Sequence, residues 1–134
     1  MAVGSEAAAM ARGAHRKTTG QTGFHAGLAA EDIVARDYAH RGHSLVSRRW
    51  RGLAGEIDLV MQDGAGIIFV EVKKSGSFAR AVARLSQRQI SRLQRAAEEF
   101  LDTQPLGALT DVRFDVALVN GQGEIEVIEN ALGH

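Results

Sequence analysis

The chain has 134 residues, 45% of them apolar and 24% charged, with one proline and no cysteine. That is enough for one domain around one core, and it excludes a disulfide scaffold, a thiolate metal site, a collagen-like repeat and a low-complexity chain. The formal net charge is zero, which argues against a uniformly basic nucleic-acid binder, but the distribution is uneven. Arg36, Arg41, Arg48, Arg49 and Arg51 stand against Asp37 alone within residues 36–51, and Arg80, Arg84, Arg88, Arg92 and Arg95 stand without any acid within 80–95. The chain from Asp111 onward is net acidic, so local fields matter more than the sum.

Residues 1–22 are rich in Ala, Gly and Thr and lack an apolar segment of signal-peptide kind. They read as a disordered tail ahead of a domain over 23–130. No run of 18 apolar residues is present, so no membrane partner is expected, and a cytoplasmic location follows from the absence of targeting signals.

The first ordered element reads as a helix from Phe24 to His40. At 100° per residue Phe24, Leu28, Ala35 and Tyr38 share one face, Arg36, Asp32 and His40 lie opposite, and Gly42 stops the helix. Glu31 falls in the middle of the apolar face, where a solvated carboxylate is not expected. Three strands follow, over Ser44–Arg51, Glu56–Gln62 and Ile67–Lys73, the last two joined by the turn Asp63-Gly64-Ala65-Gly66. A helix is expected over Phe78–Leu101, a strand over Val112–Val119, and a short edge strand over Glu124–Ile128. The order α-β-β-β-α-β-β describes an α/β (α+β) domain, a mixed central sheet flanked by helices.

Closing the hairpin about the Gly64–Ala65 bond pairs Gln62 with Ile67 and sets Asp58 opposite Glu71 and Glu56 opposite Lys73, at Cβ separations of roughly 4.5–5.5 Å. Opposed carboxylates destabilise a sheet unless a charge of opposite sign sits between them. A hard divalent cation, Mg²⁺ or Mn²⁺, meets that need with a few carboxylate oxygens, water and phosphate. Asp58 and Glu71 are therefore the expected metal ligands, with the Val72 backbone carbonyl as a further one, and Lys73 is the point charge beside the attacking water or the phosphate. Glu31 joins the set if its helix packs near the strand ends.

These blocks, Gly55-Glu56-Ile57-Asp58-Leu59-Val60 and then Phe69-Val70-Glu71-Val72-Lys73, resemble the PD-(D/E)xK motif of the restriction-endonuclease-like superfamily. With the helix bearing Glu31, the Arg48–Arg51 strand and Arg113-Phe114-Asp115-Val116, they resemble more closely the small UPF0102, or YraN, family over residues 24–129. The resemblance implies a restriction-endonuclease-like core similar to Holliday-junction resolvases, Mg²⁺-dependent cutting of DNA, a homodimer by analogy, and Asp58, Glu71, Lys73 and Glu31 as the catalytic set. Two departures stand out: Gln89 occupies a place where the family usually has Lys, and the loop Lys74–Ala79 lacks a Gly after its Phe.

Each feature also has a plainer reading. Lys73 can pair with Glu56 across the strands, Glu31 can pair with an arginine such as Arg113, and Trp50 fits a core better than a base-stacking platform. The stripe Arg80, Arg84, Arg88, Arg92 and Arg95, with Arg48 and Arg49, is either a solvated face or a contact to phosphates. His15, His25, His40, His43 and His134 show no ligand spacing. The expected function is a metal-dependent endonuclease hydrolysing phosphodiester bonds in DNA, branched or otherwise structured. The alternatives are a catalytically weak or inactive nucleic-acid-binding protein of the same fold and a structural protein.

Overall fold

A computed structural model describes residues 15–18 and 30–132. In chain order the elements are β1 (His15–Thr18), α1 (Ala30–His40), β2 (Ser44–Arg51), β3 (Glu56–Asp63), β4 (Gly66–Lys74), α2 (Phe78–Ala83), α3 (Gln87–Leu101), a 3₁₀ turn (Gly107–Leu109), β5 (Val112–Val119) and β6 (Ile125–Ile128). The strands form one sheet in the order β1-β6-β5-β4-β3-β2. Only β4 and β5 run parallel; the other neighbours are antiparallel.

The central strands carry no solvent face. β4 runs Ile67-Ile68-Phe69-Val70 fully buried, as a strand covered on both sides must. One face packs Leu59, Met61, Ile68 and Val70 against Val34 and Tyr38 of α1. The other packs Val60, Ile67 and Phe69 against Leu93, Ala97 and Phe100 of α3. Phe69 stacks on Phe114 and meets Phe100 edge-on, and Trp50 also meets Phe100 edge-on, which makes it a core residue rather than a platform for bases.

The expected element order holds from α1 onward, with three differences. The span read as a tail contains β1, which pairs with β6 from His15↔Ile128 to Thr18↔Ile125. Its sequence, His-Arg-Lys-Thr, has no apolar alternation to betray it, and its backbone supplies partners to an otherwise open edge. The rest of that tail, and the expected helical residues 24–29, lie outside the described residues.

The helix expected over Phe78–Leu101 is two helices. Ser86 caps α3: its hydroxyl accepts from the Gln89 N–H at 3.1 Å, and its own N–H donates to Gln89 Oε1 at 3.2 Å. This reciprocal Ser-x-x-Gln box is a start signal, and a helix cannot run through its own N-cap. The five-arginine stripe is thereby divided: Arg80 lies on α2, Arg84 in the turn, and Arg88, Arg92 and Arg95 on α3. Ser86→Ala is expected to cost about 1 kcal/mol in denaturant unfolding without a change in slope.

The third difference sits in β3. Simple alternation puts Glu56, Asp58 and Val60 on one face, yet Ile57 and Val60 both pack on the α3 side. The pleat therefore slips a step between them. Across the ladder, β2 pairs Arg48 with Leu59 and Trp50 with Ile57, while the Arg49–Asp58 pair is missing and Arg49 takes a φ of 53°. A non-glycine residue in the left-handed region marks a local departure from the strand. Asp58 lies at that departure.

Candidate metal centre

The hairpin closes in the expected register, from Asp63↔Gly66 through Gln62↔Ile67 to Leu59↔Val70. Regular pairing ends there, one pair short of Asp58 and Glu71. Beyond it the Val72 N–H donates to Asp58 Oδ2 at 2.8 Å. The carboxylate thus takes the place of a ladder partner and holds the parting strands at a fixed distance. A strand residue sends its N–H and C=O to the same edge, so the Val72 carbonyl also faces the gap beside Asp58.

Glu71 is buried on the α3 side, close enough to Asp58 for the two carboxylates to repel each other. Lys73 Nζ stands 3.4 Å from Glu71 Oε2. The sequence pairing of Lys73 with Glu56 is not realised: Glu56 takes Arg51 at 3.0 Å. Burial pushes the Glu71 carboxyl up to about 6, and the neighbouring Asp58 adds to it, while Lys73 and then Arg92 pull it back. Burial also raises Asp58, opposed by the Val72 N–H and reinforced by Glu31 and Glu56.

The sign of the Glu71 effect follows from its direction. A carboxyl raised from 4.5 to about 6 on folding contributes stability that is complete below 4.5 and is lost as pH rises through about 6. The loss is about 1–2 kcal/mol. The melting temperature of the metal-free protein, relative to that of Glu71→Gln, is therefore expected to fall between pH 5 and 7.5. A pH-independent difference between the two would contradict this electrostatic picture.

Glu31, at the first turn of α1, is half-buried and near enough to raise Asp58, but its carboxylate pairs with Arg49 Nη2 at 2.8 Å. Asp32 next to it pairs with Arg48. Arg48 and Arg49, two of the arginines expected to contact phosphate, thus tie β2 to the start of α1. The Glu31–Arg113 alternative is not realised, since Arg113 goes to Asp115 at 2.9 Å and to Glu129 at 3.7 Å. Among the described residues no group of three or more His, Cys, Asp or Glu side chains is arranged to hold a metal. The candidate centre is therefore two carboxylates and a backbone carbonyl, with the Glu31 carboxylate engaged by Arg49.

Gln89 and Glu71 line the same small cavity under α3, with Leu93 and Val116. Gln89 is engaged by the Ser86 cap, and the α3 cation near enough to lower Glu71 is Arg92, one turn on. Among the described residues Arg88 and Arg95 are exposed and make no salt bridge, whereas Arg84 donates to the Lys74 carbonyl at 3.0 Å. Sequence reasoning missed Glu99, whose carboxylate accepts the Leu53 and Ala54 N–H groups at 2.7 and 2.8 Å. No local pattern links residues so far apart. It also missed the strand-capping role of Asp58, which rests on the ladder opening.

Sheet order, helices on both faces and paired carboxylates where β3 and β4 part define a restriction-endonuclease-like core. The chain belongs to the uncharacterised protein family UPF0102, whose model matches residues 30–119. It is 58% identical over 113 residues to a UPF0102 protein of Cereibacter sphaeroides, covering 84% of this chain and 97% of that one. It is 58% identical over 109 residues to one of Ruegeria pomeroyi, with 81% and 89% covered. A third, from Roseobacter denitrificans, is 49% identical over 117 residues, with 87% and 91% covered. No helix among the described residues is long and apolar enough to cross a membrane.

Proposed function

We propose that this protein is a divalent-metal-dependent endonuclease that hydrolyses phosphodiester bonds in DNA, branched or otherwise structured. The observation that carries the proposal is the convergence of Asp58 and Glu71 at the end of the β3–β4 ladder, both held above the usual carboxylate range by burial. A buried Glu71 and a half-buried Asp58 that repel each other, with an adjacent carbonyl, suit a hard cation such as Mg²⁺ or Mn²⁺. When bound there, the cation would acidify a water and offset charge building on the phosphate.

The chain's own residues would do the rest. Asp58 keeps its position through the Val72 N–H, which holds its Oδ2 and leaves Oδ1 to serve a cation. Glu71 is walled by apolar side chains under α3, which keeps bulk water from screening the centre. Lys73 balances Glu71 in the free protein and would meet a phosphate oxygen or the attacking water when substrate arrives. Lys73→Ala is expected to lower turnover about 10²-fold while metal binding persists; single-turnover kinetics beside a Mn²⁺ titration separates the two effects.

The test of the function is cleavage of branched, single-stranded and double-stranded DNA with Mg²⁺ or Mn²⁺ by the wild type and by Asp58→Ala. Metal-dependent cutting lost in the variant supports the reading, and equal traces of cleavage in both end it. One observation favours the second reading, a nucleic-acid-binding protein that cleaves weakly or not at all: Gln89 stands near Glu71 without charge and with its side chain committed to the cap. Gel-shift binding that survives Glu71→Ala, without turnover in the wild type, would select it.

A further inference from the structure

The β2–β3 connection, Gly52 to Gly55, is more constrained than a turn between two strands requires. The Gly52 N–H donates to the Gly55 carbonyl at 2.9 Å. The amides of Leu53 and Ala54 both go to Glu99 of α3. A Cβ at Gly52 would lie 2.7 Å from Glu99 Oε1, and one at Gly55 would lie 2.7 Å from Arg92 Nη1, so the loop rests directly on those two side chains. Ala54 packs into the α3-side core.

Leu53 is the exception. Its backbone N–H is held, yet the residue is fully exposed at 101%. A lone exposed leucine on a surface needs no explanation. This one is presented by an anchored loop, nothing among the described residues packs on the isobutyl group, and serine would make the same backbone bond. On either side stand arginines: Arg51, paired with Glu56 at 3.0 Å but with its side chain 78% exposed, and Arg92 under Gly55. The loop enters β3 three residues before Asp58, a span of roughly 10 Å.

We infer that this loop is a preformed contact for DNA and that Leu53 seats against an unstacked base step next to the metal centre. The inference rests on the nuclease reading and adds to it the residue that would meet the substrate where its stacking is interrupted. In continuous duplex the base faces are covered by their neighbours, and a leucine gains nothing. At a branch they are open, and apolar side chains that enter such steps are a recurring device in DNA-bending proteins. Arg51 and Arg92 would meet the flanking phosphates. The geometry favours a rigid wedge over an adaptable loop because both tip amides are committed to one carboxylate.

The test is a splayed-arm DNA with 2-aminopurine at the branch, compared with the matched duplex and without divalent metal, so that binding is read apart from cleavage. The full-length wild type is expected to raise the fluorescence and to bind the splayed arm about tenfold more tightly than the duplex. Leu53→Ser, whose folding is checked by its melting curve, is expected to bind both alike and leave the fluorescence unchanged. Glu99→Ala keeps Leu53 but frees the loop, and is expected to lose most of the preference. A splayed-arm preference equal in the wild type and Leu53→Ser overturns the wedge while leaving the nuclease reading intact. A preference undiminished in Glu99→Ala overturns the preformed loop. If the wild type binds neither DNA, the nucleic-acid reading falls and takes the wedge with it.

Discussion

Glu71→Gln is expected to lower metal-dependent cleavage by at least about 10²–10³-fold while leaving the protein folded and, in metal-free buffer at pH 7.5, slightly more stable. The two halves of this result come from one cause. At neutral pH the wild type holds Glu71 buried beside Asp58, with Lys73 as the nearest cation. The mutual repulsion favours unfolding, and the same repulsion would attract a divalent ion. Gln keeps the shape and removes both effects. Activity measured alone could fall for many reasons. Activity falling while stability rises is the signature of a strained functional site. If the variant melts well below the wild type at pH 7.5 without metal, Glu71 is a structural group and the argument for a cation between the carboxylates weakens accordingly.

Asp115→Ala is expected to have the largest effect on stability, about 3–5 kcal/mol, which is a large part of what a domain of this size has. Asp115 is wholly buried in β5. It accepts from the Tyr38 hydroxyl at 2.5 Å, from Arg113 Nε and Nη2 at 2.9 and 3.0 Å, and from the Asn130 N–H at 3.0 Å. One carboxylate therefore ties α1, β5 and the C-terminal turn together. Burial, with the Asp115 charge, pushes the Tyr38 hydroxyl well above its ordinary range, so it remains a donor throughout the physiological pH range. Truncation leaves Arg113 without its main partner and Tyr38 with a buried hydroxyl, and both losses are paid in full. Urea unfolding of the variant measures the cost. A loss under 1 kcal/mol would mean that water replaces the carboxylate, and would contradict the sealed packing of this corner. Because Asp115 lies outside the proposed metal centre, the variant should retain any Mn²⁺ binding of the wild type wherever it remains folded.

Much of the site was legible because strand periodicity and a short turn fix register over a few residues. Asp63-Gly64-Ala65-Gly66 set the hairpin, and its register carried Asp58 toward Glu71 without any tertiary information. The same logic failed at the slip in β3. Alternation assumes an unbroken ladder, and the left-handed Arg49 opposite Asp58 breaks it. The partners of Glu31 were not legible either. That it sits beside the site could be read from its place on the apolar face of α1, but its pairing with Arg49 depends on how α1 lies across β2, which only packing decides. The break before α3 was written in the chain as Ser86-Gln87-Arg88-Gln89, but a long apolar periodicity on both sides of it masked the cap. β1 left no trace because a four-residue edge strand can be stabilised by its partner's backbone alone.

The account depends on Asp58 and Glu71 acting as one cation site. Calorimetric titration of the metal-free protein with Mn²⁺ at pH 7.5 measures this directly, with Glu71→Gln and Asp58→Asn alongside. The wild type should give a saturable heat that each substitution abolishes. Equal heats in all three proteins, or no heat in the wild type, would contradict it.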